Sequence, residues 1–115
     1  MGGSGYVSTT RELLVFFEAL LTGRIFDDPS TLQTMLSIPS VNSESHYAMG
    51  IENMGDGCWG HNGYWGTLAV YCPEQRLGVA VAGMSPESLD QLLGIARAAG
   101  SEVTACLEAA AGAQQ

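Results

Sequence analysis

The residues best equipped for chemistry lie in one run, Trp59-Gly60-His61-Asn62-Gly63-Tyr64-Trp65-Gly66-Thr67. No other stretch of this length joins a titratable side chain, several glycines and two tryptophans. His61 follows a short apolar approach, Cys58 and Trp59, and Gly63 leaves the backbone bare one step beyond Asn62. A strand of this pattern offers a polar side chain and uncovered N–H groups to whatever lies against its edge. It suits one wall of an active site, with the amide after the glycine placed as an oxyanion donor. Taken alone, His61 reads first as an ordinary strand histidine, and Trp59 and Trp65 as core or edge packing.

The flanking sequence supplies the elements that must hold this run. Thr9-x-x-Glu12 is a capping box, and Leu13, Leu14, Phe17, Leu20 and Leu21 form one apolar stripe closed by Gly23. Asp28-Pro29 reads as N-cap and first residue of a short helix carrying Leu32, Met35 and Leu36, stopped by Pro39. The polar run Ser40 to Ser45 reads as a loop. Strands are expected at about 46–53, 58–62, 67–72 and 77–84, with Pro73-Glu74-Gln75-Arg76 as a hairpin turn. In the last two strands both faces are apolar, which calls for a sheet covered on both sides. Ser85-Pro86 opens a final helix whose stripe runs through Leu92, Ala96, Ala99, Val103 and Cys106. Gly100 weakens that helix by about 1 kcal/mol relative to alanine.

Composition narrows the classes. A chain of 115 residues is one domain at most. A net charge of −8 with only four basic residues, all arginine, argues against nucleic acid and anionic membrane surfaces as partners. No apolar run approaches the roughly 18–20 residues of a membrane span, and no basic start precedes an apolar core. His46 reads as a surface residue, and no serine has a neighbouring base or sits in a Gly-x-Ser-x-Gly elbow.

The central run resembles the third motif of the penicillin-recognising serine hydrolases: DD-peptidases, class C β-lactamases and related esterases. There the motif is Lys/His-Thr/Ser-Gly on an edge strand, and here His61-Asn62-Gly63 stands in its place. Other pieces follow in the family's order. Gly2-Gly3-Ser4-Gly5-Tyr6-Val7-Ser8-Thr9-Thr10 is similar to its GGL-x-ST helix start, and Tyr47-Ala48-Met49-Gly50 to its YGLG strand. Pro73 to Met84 is similar to its hairpin and final strand. The resemblance spans nearly the whole chain, and only the C-terminal part of the family's domain. It implies an α+β, partial β-lactamase/transpeptidase-like fold. A short antiparallel sheet is backed by the C-terminal helix, and the two N-terminal helices stand beside it.

The resemblance also implies roles. His61 would hold substrate near the nucleophile and tune local charge, and Asn62 would hydrogen-bond the substrate. Gly63 would permit close approach, and the Tyr64 backbone N–H would be one of two oxyanion donors. A histidine in the lysine position is closer to the DD-peptidase and esterase branches than to the class C β-lactamases. The departures are as specific as the matches. The family nucleophile sits in Ser-x-x-Lys, and this sequence has no lysine. No tyrosine is followed two residues on by asparagine, so Tyr-x-Asn is missing too, and Asn62 replaces the usual Thr or Ser. The expectation is a catalytically incomplete C-terminal portion, inactive alone. The intact domain would form an acyl-enzyme on serine and hydrolyse an amide, β-lactam or ester. Its partners would be the missing N-terminal half of the domain or another copy of itself, with a small-molecule or peptide substrate only once completed. Family members are usually exported. The competing expectation is a non-catalytic binding or assembly module that exposes an unpaired sheet edge.

No cofactor is implied. Cys58-x-x-His61 has usable zinc spacing, but the second Cys-x-x-Cys/His half of a structural zinc site is absent. A disulfide is the expectation for an exported protein. Alternation points Cys58 away from the His61 face, and the resemblance lays the C-terminal helix, with Cys106, over that opposite face. Cys58–Cys106 is therefore the first pairing. Cys58–Cys72, opposite each other if the hairpin is centred on Trp65, is the second, and three free thiols are the expectation for a cytoplasmic protein.

Overall fold

The first two helices each begin where a side chain satisfies a free N–H group. In the computed structural model, which describes residues 5–38, 46–83 and 85–113 (86, 89 and 103–113 without their side chains), α1 spans Thr10–Leu21. Thr9 Oγ1 accepts from the Glu12 N–H at 3.1 Å, and the Glu12 carboxylate accepts from the Thr9 N–H at 3.0 Å. The capping box read from sequence is thus formed in both directions. Helix α2, Pro29–Met35, starts at Asp28, whose carboxylate accepts from the Ser30 N–H at 2.8 Å. That backbone bond, with the Ser30 side chain second, holds the Asp28 carboxyl below its usual range. A depressed carboxylate stabilises the fold above its unfolded pKa, and this contribution is lost as pH falls through the folded one.

Four strands follow: β1 (Glu52–Gly55), β2 (Cys58–Gly63), β3 (Thr67–Cys72) and β4 (Leu77–Ala82). They form one antiparallel sheet in the order β1-β2-β3-β4. A short 3-10 turn, Pro86–Ser88, leads into α3, Leu89–Ala113. Three α-helices and a four-stranded antiparallel sheet among the described residues make the chain an α+β protein.

Residue alternation decides which layer meets which face. Ala69 and Tyr71 of β3 point to one side, where α1 delivers Phe17, Leu20 and Leu21, joined by Ala48 and Ile51. Leu32, Met35 and Leu36, from α2 and its C-terminal end, border this core. On the other side Leu68, Val70, Leu77 and Val79 face Leu93 and Ala96 of α3 across a cavity of about 690 Å³. Helix α1 therefore covers the second face of the sheet rather than standing beside it. This is what strands apolar on both faces require.

Two sequence expectations change. Residues 46–53 are not one strand. Tyr47 and Glu52 form an isolated bridge around a turn, closed by the Ala48 N–H on the Ile51 carbonyl at 2.8 Å and the Asn53 N–H on the His46 carbonyl at 2.7 Å. Gly50, at φ +74°, supplies the left-handed residue that reverses the chain, so pairing begins only at Glu52. The inward stripe of α3 runs through Leu92, Leu93, Ala96 and Gly100, and Ala99 is exposed. Gly100 does not interrupt the helix and lies over Leu77 and Val79. Ser40 to Ser45, Met84 and the side chains of Val103 and Cys106 lie outside the described residues.

Gly60 is required for sheet closeness. A Cβ there would stand 2.2 Å from the Ala69 carbonyl oxygen and 2.9 Å from the Val70 Cα, both backbone atoms that cannot turn aside. Gly60→Ala is expected to cost about 1–3 kcal/mol, the usual range for overpacking, read as a lowered urea midpoint. An unchanged midpoint would contradict this tight β2–β3 approach.

Candidate functional site

Strand β2 carries His61, Asn62 and Gly63, and Tyr64 opens the turn to β3. The register pairs His61 with Ala69, Asn62 with Leu68 and Gly63 with Thr67. His61 and Gly63 therefore share the α1 side of the sheet, while Asn62 lies on the α3 side. A ligand resting on one face meets only one of these side chains. Only one lying along the strand edge reaches both.

That edge is partly open. β1 pairs with β2 from Cys58 as far as Gly60, so His61, Asn62 and Gly63 run past its end. The Tyr64 N–H finds no backbone acceptor among the described residues. It stands where an oxyanion donor would be sought. Gly63 makes room for Thr67, since a Cβ there would lie 2.3 Å from Thr67 Oγ1. The turn closes with the Gly66 N–H on the Gly63 carbonyl at 3.0 Å, and Gly66 adopts φ +81°. This three-residue loop ending in a left-handed glycine is a standard hairpin connection.

His61 is half-buried and has a partner at each ring nitrogen. Nε2 lies 2.8 Å from the Tyr47 hydroxyl, and the two rings meet edge-on with centroids 5.4 Å apart. Nδ1 contacts the carbonyl oxygen of Asn62. Tyr47, read from sequence only as the start of a strand, is the neighbour of His61 at the candidate site. It lies 14 positions away, and nothing local signals the contact. Trp59 packs against the α1 core, whereas Tyr64 and Trp65 are 74% and 67% exposed and meet edge-on at 5.2 Å. His46 is exposed.

Ser88 is the other polar group held by close backbone. Its hydroxyl donates to the Ser85 carbonyl at 2.6 Å, and a Cβ on Gly66 or Gly83 would come within 2.5 or 2.3 Å of its Oγ. With its proton committed to that carbonyl and no base bonded to it among the described residues, Ser88 serves the junction of the β2–β3 turn with the approach to α3.

The disulfide expectation is corrected. Cys58 is bonded to Cys72, not to Cys106. Trp59 pairs with Tyr71, so the hairpin is centred on Trp65 and the next pair outward, Cys58 and Cys72, stands directly opposite with Cα atoms 4.1 Å apart. A neighbour on the adjoining strand is nearer than any residue in the helical layer above. The same bond separates Cys58 from His61 as a metal pair, since the sulfur is used and the two residues face opposite sides. Among the described residues no group of three His, Cys, Asp or Glu side chains is arranged to hold a metal ion.

No protein-family model, curated protein or solved structure matches this chain. No helix among the described residues is long and apolar enough to cross a membrane.

Thiol titration of the denatured, unreduced protein should count one free thiol of the three cysteines. Replacing both Cys58 and Cys72 with serine should lower stability by about 3 kcal/mol, the scale for closing a loop near 15 residues. A peptide map linking Cys106 to either residue would refute the pairing. At the turn, Gly63→Ala should destabilise by about 1–2 kcal/mol, and Thr67→Ala should relieve most of that cost in the double variant. Additive effects would mean that Thr67 Oγ1 is not what the glycine accommodates.

Proposed function

We propose that this chain carries the third-motif portion of a penicillin-recognising serine hydrolase site, its nucleophile supplied by a Ser-x-x-Lys segment that this sequence does not contain. The observation that carries the reading is the placement of His61-Asn62-Gly63 on a strand running past its neighbour, followed by a Tyr64 N–H without a backbone acceptor among the described residues. Such an edge accepts an extended substrate by main-chain pairing. The incoming serine hydroxyl would attack the substrate carbonyl, with its proton taken by the lysine-bearing segment. The Tyr64 amide would stabilise the oxyanion as one of two donors. Collapse of that intermediate expels the amine or alcohol and leaves an acyl-serine, which water then hydrolyses to the acid. The substrate class is a small molecule or peptide with an amide, β-lactam or ester bond. The fold assignment that goes with this reading, part of a β-lactamase/transpeptidase-like domain, is likewise a proposal, as is export from the cell.

A second reading rests on β4. It is a terminal strand of the sheet, and Leu77–Ala82 contains no charged residue. An uncharged strand edge is a template for pairing with another chain. On this reading the chain is a non-catalytic assembly module whose partner is a second copy.

Two measurements separate the readings. The chain alone should form no covalent adduct with a fluorescent penicillin. Mixed with, or fused to, a segment bearing Ser-x-x-Lys and Tyr-x-Asn, it should form an adduct that heat denaturation abolishes. Failure of several such segments to yield an adduct, with the fold intact, counts against the hydrolase reading. The assembly reading expects sedimentation as a dimer or larger species at tens of micromolar, roughly the range where open edges associate. It expects Val81→Lys to shift the protein toward monomer with its circular dichroism retained. A wild-type chain that sediments as a monomer removes it.

A further inference from the structure

We infer that Tyr47 is a positioning residue for His61, its hydroxyl holding the imidazole as the Nδ1–H tautomer with the Nε2 lone pair occupied. The functional consequence rests on the hydrolase reading above; the tautomer itself does not. The argument starts at the other nitrogen. A backbone carbonyl only accepts, so the contact between Nδ1 and the Asn62 oxygen places the hydrogen on Nδ1. In the neutral ring Nε2 is then a bare acceptor, and the group 2.8 Å from it must donate. A phenol hydroxyl does so.

Tyr47 is held to this task by its neighbours. Ala48 on one side and Ile51 beyond the turn are buried, Ile51 to 1% exposure, and their backbone groups bond each other across the turn at Gly50. The tyrosine ring is thereby tethered to the core and remains 45% exposed. The arrangement makes Nε2 a guarded acceptor. A ligand that needs this nitrogen must displace the Tyr47 hydroxyl, whereas one that pairs only with the β2 edge need not. Tyr47 thus acts on substrate through His61 and touches no reacting atom itself.

The test is nitrogen NMR of the isotopically labelled chain at about pH 8, above the ordinary histidine range, with the exposed His46 as internal reference. Wild-type His61 should show a protonated Nδ1 and an unprotonated, hydrogen-bonded Nε2. Tyr47→Phe removes only the hydroxyl. It should move the Nε2 resonance toward that of a free lone pair and shift the tautomer ratio about fivefold toward Nε2–H, the size of one net hydrogen bond. A wild-type spectrum with the proton on Nε2 overturns the inference whatever the variant does. So does a folded Tyr47→Phe protein whose His61 signals are unmoved. Penicillin labelling of the completed protein is a separate readout. Its failure beside the expected spectra would count against the hydrolase reading alone.

Discussion

Everything at the candidate site depends on the register between β2 and β3. The pairing of Trp59 with Tyr71 and of Gly63 with Thr67 centres the hairpin on Trp65, and every other placement follows by alternation. It sets His61 on the α1 side and Asn62 on the α3 side. It brings Cys58 against Cys72, and it makes Gly60 indispensable where the strands approach. A slip of one residue would exchange the two faces. Leu68 and Val70 would then turn toward α1, while Ala69 and Tyr71 would leave the core they now share with Phe17 and Leu20.

Two devices resist such a slip. The disulfide ties one end of the hairpin, and the Gly63–Gly66 turn closes the other. Between them the faces are unequal. The α1 side packs large side chains, with Ile51 and Tyr71 buried. The α3 side retains the cavity lined by Leu68, Val70, Leu77 and Val79. The precision available to His61 therefore comes from the α1 side, where Trp59 joins the core and Tyr47 is anchored through Ala48 and Ile51.

What was legible in the sequence was local. Thr9 with Glu12, Asp28 with Pro29, and Pro73 to Arg76 announce their structures within four residues, because a cap or turn is decided by neighbouring backbone groups. Residues 46–53 misled because an apolar run reads as a strand, and the reversal depends on one glycine with positive φ. Ala99 misled because helical spacing gives a stripe but not its rotation about the axis. The cysteine pairing went to the second choice because the first followed a resemblance between layers, whereas strand adjacency decides which sulfurs meet. His61 stands out in the sequence as a candidate, but its environment does not. The contact with Tyr47 exists only once the 47–52 turn and β2 are both in place.

The sheet order has a kinetic consequence. In a meander each strand lies beside its neighbour in sequence, so every pairing closes a short loop and none waits for a distant segment. Local pairings of this kind carry a small entropic barrier. The sheet can therefore zip outward from the β2–β3 hairpin. Helix α1, whose contacts with β3 and β4 span the longest separations, gains its partners only afterwards. By contact separation, docking of α1 closes the longest loops of the fold and is expected to follow strand pairing.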